Sequence, residues 1–156
     1  MTKILFVCTG NICRSPTAEG VARHAIRAAG LEGLIEVESA GTHGYHVGEA
    51  PDPRTRKAAE KRGYDLSTLR ARKLEPADFE AFDLLLAMDI GHLEIMKRNC
   101  PDEHRAKVRL FMSYARRFKA DEVPDPYYGS ERGFDLVLDY CEDAVGGLVD
   151  VLRSSR

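Results

Sequence analysis

The chain has 156 residues, 44% hydrophobic and 31% charged, with a formal net charge of -2. A length of this order buries roughly 68–70% of its unfolded surface, so one domain over residues 1–156 with a real core is expected. The composition excludes disorder, and the charge balance gives no footprint for nucleic acid, so any anion has to be held by a local site.

In chain order, Lys3 to Val7 is rich in β-formers and predicts a buried strand, and Pro16 to Ala29 predicts a helix that ends before Gly30. Ile35 to Ser39 predicts a second strand. The Gly/His/Pro-containing stretch that follows, up to Pro53, exceeds an ordinary connection and predicts a functional loop. Pro53 opens a helix through Arg62, closed by Gly63. Asp83 to Met88 is a third strand, Gly91 to Arg98 a helix stopping before Pro101, and Val108 to Met112 a fourth strand. Ala115 to Gly129 collects Pro124, Pro126 and Gly129 and predicts a surface loop. Phe134, Val137, Leu138, Cys141, Ala144, Val145, Leu148 and Leu152 recur at helical spacing, with Gly146-Gly147 as a local weakness. Strands alternating with helices predict an α/β fold, a mostly parallel sheet covered by helices on both faces. Its ligand belongs beyond the carboxyl ends of the strands, where the loop after strand one lies.

The opening run Ile4-Leu5-Phe6-Val7 is too short for a signal peptide, and no apolar stretch reaches the roughly 20 residues that span a bilayer. A cytoplasmic protein with no membrane partner is expected, and Cys8, Cys13, Cys100 and Cys141 are expected to be reduced.

Between strand one and helix one stands Cys8-Thr9-Gly10-Asn11-Ile12-Cys13-Arg14-Ser15, with an arginine six positions after a cysteine. A loop curled at a helix N-terminus points successive backbone amides inward and makes an anion cradle from Thr9, Gly10, Asn11, Ile12, Cys13 and Ser15. Gly10 and Asn11 tolerate the left-handed angles such a loop needs. Arg14 closes the ring with a planar fork that matches two phosphoryl oxygens. A cysteine in that field is a candidate thiolate nucleophile, and Ser15 is placed to donate to its sulfur. Cys-x5-Arg recurs by chance, but the strand-to-helix position favours chemistry over a core thiol. Cys8-x4-Cys13 and His43-x2-His46 lack the paired pattern of structural zinc sites, so no metal is expected. Arg14 and the amides can neutralise a phosphoryl group unaided, so no cofactor is required.

The decapeptide Val7 to Pro16 resembles the signature of the low-molecular-weight protein tyrosine phosphatases. Ser39-Ala40-Gly41-Thr42, Val47-Gly48, Pro51-Asp52-Pro53-Arg54, Ala87-Met88-Asp89 and Asp125-Pro126-Tyr127-Tyr128-Gly129 follow in that family's order, over nearly the whole chain. The resemblance implies a four-stranded parallel sheet flanked by helices, hydrolysis of protein phosphotyrosine through a cysteinyl-phosphate, and a monomer that needs no cofactor. It makes Asp125, held between Pro124 and Pro126, the general acid. It places Ile12, Tyr45, Tyr127 and Tyr128 in the substrate cleft and opens the loop tyrosines to a regulatory tyrosine kinase. Cys13, five residues from Cys8, is sterically suited to a reversible disulfide with it. The family's network through Asn11 and Ser39 usually ends on a histidine where this chain has Leu69, which predicts a shorter network. His92 stands where asparagine is usual.

Two relatives in chemistry are alternatives. Arsenate reductases relay a disulfide through further cysteines, and only Cys100 and Cys141 remain for that here. Protein arginine phosphatases tend to carry threonine at the position of Ile12 and a single aromatic at Tyr127-Tyr128, so phosphotyrosine is favoured. A silent phosphotyrosine-binding module would keep Arg14 and the amides but would not need Asp125.

Overall fold

The computed structural model describes residues 1–127 and 129–155. Among these, four parallel strands, β1 (Thr2–Cys8), β2 (Ile35–Gly41), β3 (Leu84–Ala87) and β4 (Val108–Leu110), form one sheet in the order β2-β1-β3-β4. The helices are α1 (Arg14–Ala28), α2 (Pro53–Lys61), the short α3 (Asp78–Ala81), α4 (Ile90–Asn99) and α5 (Glu131–Ser154).

β1 is apolar without interruption because both of its faces are covered. Ile4 and Phe6 share one core with α1 and α5, and Phe6 meets Phe111 edge-on at a centroid distance of 5.2 Å. Leu5 and Val7 point the other way, into a second core with Phe79 of α3 and Met96 of α4. The α/β architecture inferred from the alternation of elements is therefore the one observed. No helix of the described residues is long and apolar enough to cross a membrane.

The chain leaves β1 for β2 on one side and returns to β3 on the other. Two loops therefore diverge at the carboxyl end of β1 and leave a crevice between them, the general location of ligands in open α/β sheets. Cys8 is the last residue of β1, so the strand order itself delivers it to that crevice.

Several element ends shift by a residue or two, and some differences from expectation have a clear cause. α1 starts at Arg14 and not Pro16, because the end of the phosphate loop is already helical. The fourth strand stops at Leu110; Phe111–Tyr114 turns as a 3₁₀ helix that buries Phe111 and Met112. α3 was not anticipated: the Asp78 carboxylate accepts from the Glu75 amide at 2.8 Å and from both Arg72 terminal nitrogens. Gly146-Gly147 does not interrupt α5. Gly147 faces the Tyr114 carbonyl so closely that any Cβ would overlap it, so this glycine permits a close helix approach.

Candidate active site

The loop from Cys8 to Arg14 hangs between β1 and α1, and its carbonyls are committed outward. Cys8 O accepts from the Thr42 amide at 2.8 Å, Thr9 O from His43 at 3.0 Å and Ile12 O from Asp52 at 2.9 Å. A loop whose carbonyls are turned away from its centre presents its amides there, the arrangement of an anion nest. Cys13 is the N-cap of α1 and offers no side-chain cap, so no side chain competes with an anion for the first-turn amides. The left-handed residue of the loop is Asn11, at φ 59°; Gly10 has another task. A Cβ on Gly10 would lie 2.8 Å from His46 Cδ2, so glycine there makes room for the facing loop.

Arg14 is buried and stretched beneath this cradle. Its Nη1 donates to Asp89 Oδ2 at 2.9 Å and to the Val123 carbonyl at 3.1 Å, and its Nη2 stands 3.6 Å from Asp125 Oδ2. Asp89 is the N-cap of α4, at the carboxyl end of β3, with its Oδ1 occupied by the His92 amide. Burial opposes ionisation of Asp89, but the His92 amide and the Arg14 guanidinium hold its carboxyl below the usual range. The guanidinium thus has a fixed counter-ion behind it.

Cys8 is wired into a polar chain that runs away from the cleft. Cys8 Sγ lies 2.9 Å from Ser15 Oγ; Asn11 Nδ2 donates to Ser15 Oγ at 2.8 Å and to Ser39 Oγ at 2.9 Å; Ser39 donates to Glu19 Oε1 at 2.7 Å. Glu19 is buried beside Arg23. Burial raises its carboxyl above the usual range, while the Ser39 hydroxyl and Arg23 pull it back. With Asn11 donating into Ser15, the one Ser15 proton can go to the sulfur or to the Ala40 carbonyl, 3.4 Å from Oγ. Leu69 packs against the core and has no polar group to join this network. Asn11 Oδ1 accepts from the Arg72 amide at 3.0 Å, so backbone holds the other side of the Asn11 carboxamide.

Asp125 sits half exposed on the loop before α5, its Oδ1 accepting from the Tyr127 amide at 3.0 Å across Pro126. Val123 N bonds Met88 O at 2.8 Å, the Ile90 amide donates to Glu122, and Arg54 Nη2 donates to the Tyr127 carbonyl at 3.0 Å. Arg54 is itself held by Asp52, the N-cap of α2, and lies over the rings of Tyr127 and Phe134. The Asp125 loop is therefore tied to both walls of the crevice.

Cys8, Thr9, Gly10, Ile12, Cys13, Arg14, Tyr45, His46, Asp125 and Tyr127 line one cavity of about 250 Å³. Tyr45 stacks on His43 at 5.1 Å and stands in solvent at the rim. The cavity so brings together every candidate catalytic and cleft residue except Tyr128, which lies outside the described residues. Asp89, His92, Glu19, Arg54 and Glu122 were missed as support for the site. An aspartate directly after a buried strand, as in Ala87-Met88-Asp89, was the available signal for the first.

A model of the family described as low molecular weight phosphotyrosine protein phosphatase matches residues 3–156. The chain belongs to this family. It is 46% identical over 154 residues to the low molecular weight protein-tyrosine-phosphatase of Streptomyces coelicolor, covering 97% of this chain and 93% of that one. To the human low molecular weight phosphotyrosine protein phosphatase it is 38% identical over 140 residues, covering 88% and 87% of the two chains. A crystal structure of a protein tyrosine phosphatase from Entamoeba histolytica, with Hepes in the active site, superposes with a TM-score of 0.97 at 39% identity, covering 99% of each chain. The cleft at the end of β1 is thus that of a low molecular weight phosphotyrosine phosphatase fold.

All four cysteines are free thiols. Cys141 and Cys100 lie in different cores, on opposite faces of the sheet, so they form no relay pair of the arsenate-reductase kind. Burial pushes the Cys13 thiol up to about 12, with Thr55 opposing. Among the described residues no group of three or more His, Cys, Asp or Glu is arranged to hold a metal ion.

His92 carries a pH dependence of stability. Burial, with Arg14 and His43, pulls it down to about 4 against the opposing pull of Asp89 and Asp125. The unfolded chain takes up this proton near 6.5 and the folded chain does not, so stability is present above that pH and lost as pH falls toward 4. The loss through this one group should reach about 2 kcal/mol near pH 4.5. Glu19 acts in the opposite sense, so the check is a difference: denaturant unfolding of wild type and His92→Gln should diverge by that amount between about pH 7 and about pH 4.5. Parallel curves would remove His92 from the acid response.

Proposed function

We propose that this phosphatase hydrolyses protein phosphotyrosine through a cysteinyl-phosphate formed on Cys8. The observation that carries the reading is the convergence, in one cavity, of Cys8 with its Ser15 partner, the Arg14 fork and the Asp125 carboxyl. The loop amides and Arg14 hold the three equatorial oxygens and neutralise them as charge spreads in the transition state. The Cys8 thiolate attacks phosphorus, the P–O bond to the phenol breaks, and protonated Asp125 gives its proton to the departing oxygen. Water then attacks the phosphocysteine while the Asp125 carboxylate takes its proton. The P–S bond breaks, phosphate is released, and the Ser15 hydroxyl supports the returning thiolate.

Ile12 on the wall, with Tyr45 and Tyr127 at the mouth, suits a flat phenol, which can stack or lie edge-on between rings. The same reading takes residues 1–156 as one phosphatase domain, a monomer in a reducing cytoplasm, with a tyrosine kinase as regulator of the loop tyrosines. Cys13 is the reserve partner for Cys8: a hydroperoxide would oxidise Cys8 to a sulfenic acid, and attack of the Cys13 sulfur on it would expel water and leave a disulfide that a dithiol reverses. Protein arginine phosphatase chemistry is the second reading, because it would use Cys8 and Arg14 in the same way.

Paired peptides separate the two. Wild type should turn over phosphotyrosine far faster than phosphoarginine, and Ile12→Thr should narrow the ratio by roughly tenfold, the scale of one apolar contact in a specificity pocket. Faster hydrolysis of phosphoarginine by wild type would overturn the substrate assignment while keeping the nucleophile.

A further inference from the structure

The mechanism leaves one buried group at the phosphate loop without a task. His92 is 4% exposed, on the first turn of α4, with its ring wedged between the loop and the Asp89 carboxylate. Its Nε2 is 2.7 Å from Thr9 Oγ1, the side chain next to the nucleophile. Its Nδ1 is 3.1 Å from Asp89 Oδ1 without the alignment of a hydrogen bond, and the His92 amide donates to that same oxygen. A carboxylate on the Nδ1 side favours the tautomer with its proton there, which leaves Nε2 as an acceptor for the Thr9 hydroxyl. The other oxygen of the same carboxylate holds Arg14.

We propose that His92 is a positioning residue for the substrate phosphoryl group: as a neutral imidazole backed by Asp89 it accepts the Thr9 hydroxyl proton and holds the Thr9 segment of the cradle in register with Arg14. The titratable groups around it are Asp89 on its own helix, Arg14 from α1, His43 from the loop after β2 and Asp125 from the acid loop. Thr9 is the contact through which it acts. The backbone on the other side of Thr9 is fixed by the His43 amide on Thr9 O, so the hydroxyl contact removes the remaining freedom of that peptide. One carboxylate then sets the two halves of the anion site, the amide half through His92 and Thr9 and the guanidinium half directly. The inference rests on the phosphate-loop reading above.

The test is the inhibition constant of inorganic phosphate, measured against aryl phosphate hydrolysis, in a double-mutant cycle. Thr9→Val and His92→Phe should each weaken phosphate roughly three- to tenfold, the worth of one lost hydrogen bond, and the double variant should be no worse than either. His92→Gln, whose carboxamide oxygen can reach the same hydroxyl, should stay within about twofold of wild type, as should Thr9→Ser. Multiplicative losses in the double variant, or Thr9→Val binding phosphate as tightly as Thr9→Ser, would overturn the proposal, and the threonine pair keeps this readable if His92→Phe folds poorly. Wild type that neither hydrolyses aryl phosphate nor binds phosphate would instead overturn the phosphate-loop reading and this inference with it.

Discussion

Cys8→Ser is expected to abolish turnover while the protein still binds inorganic phosphate or another tetrahedral oxyanion. The substitution removes a single sulfur at the end of β1 and touches none of the groups that would hold the anion: the amides fixed by outward-bonded carbonyls, and Arg14 on Asp89 and Val123. A neutral serine hydroxyl has no strong base beside it here, since its hydrogen-bonding neighbour is the hydroxyl of Ser15. Loss of the nucleophile should therefore cost at least about 10⁴-fold in kcat. Arg14→Lys is the companion variant. Nη1 is spent on Asp89 and Val123, so the catalytic contact has to come from the rest of the planar fork, which an ammonium cannot supply while also holding its counter-ion. A fall of about 10²–10³-fold is expected for that change. Substantial turnover by Cys8→Ser would end the covalent mechanism; near-normal kinetics in Arg14→Lys would end the clamp.

Asp125→Asn should slow hydrolysis in proportion to how badly the leaving group needs a proton. A phenol with a conjugate pKa near 10 departs poorly as the anion, so on phosphotyrosine the loss should be about 10²–10⁴-fold. On an aryl phosphate whose phenol is already acidic it should shrink to less than about tenfold. The geometry makes this a clean substitution. Asn keeps an Oδ1 to accept the Tyr127 amide, and the acid loop is held independently through Val123, Glu122 and Arg54. A loss that is uniform across leaving groups would mean that Asp125 only shapes the loop and that another group supplies the proton.

These predictions concern residues of very different legibility. Cys8, Arg14 and Ser15 could be read from the sequence because the phosphate loop is a local object: a strand, a curled turn and a helix start in eight residues. The covered parallel sheet was legible from the alternation of its elements, since apolar strands alternating with amphipathic helices admit few other arrangements. Asp125 and the tyrosines had no local signal of comparable strength, and an aspartate before proline reads first as a turn residue. They were found by likeness to a family, and the structure brings Asp125, Tyr45 and Tyr127 to the same cavity as Cys8.

By itself, then, the sequence determined the α/β class, through the alternation of its elements, and the place of Cys8 and the anion-binding turn at the end of the first strand, which is a local pattern. Tertiary structure alone decided what braces them: Asp89 and Val123 behind Arg14, His92 against Thr9, Glu19 beneath Ser39, Arg72 on Asn11, and Gly147 as a close approach instead of a helix weakness. The physical reason is the order of the strands. With β1 between β2 and β3, segments from distant parts of the chain converge on one strand end, and which polar atoms meet there follows from sheet register and helix packing, which no local pattern encodes.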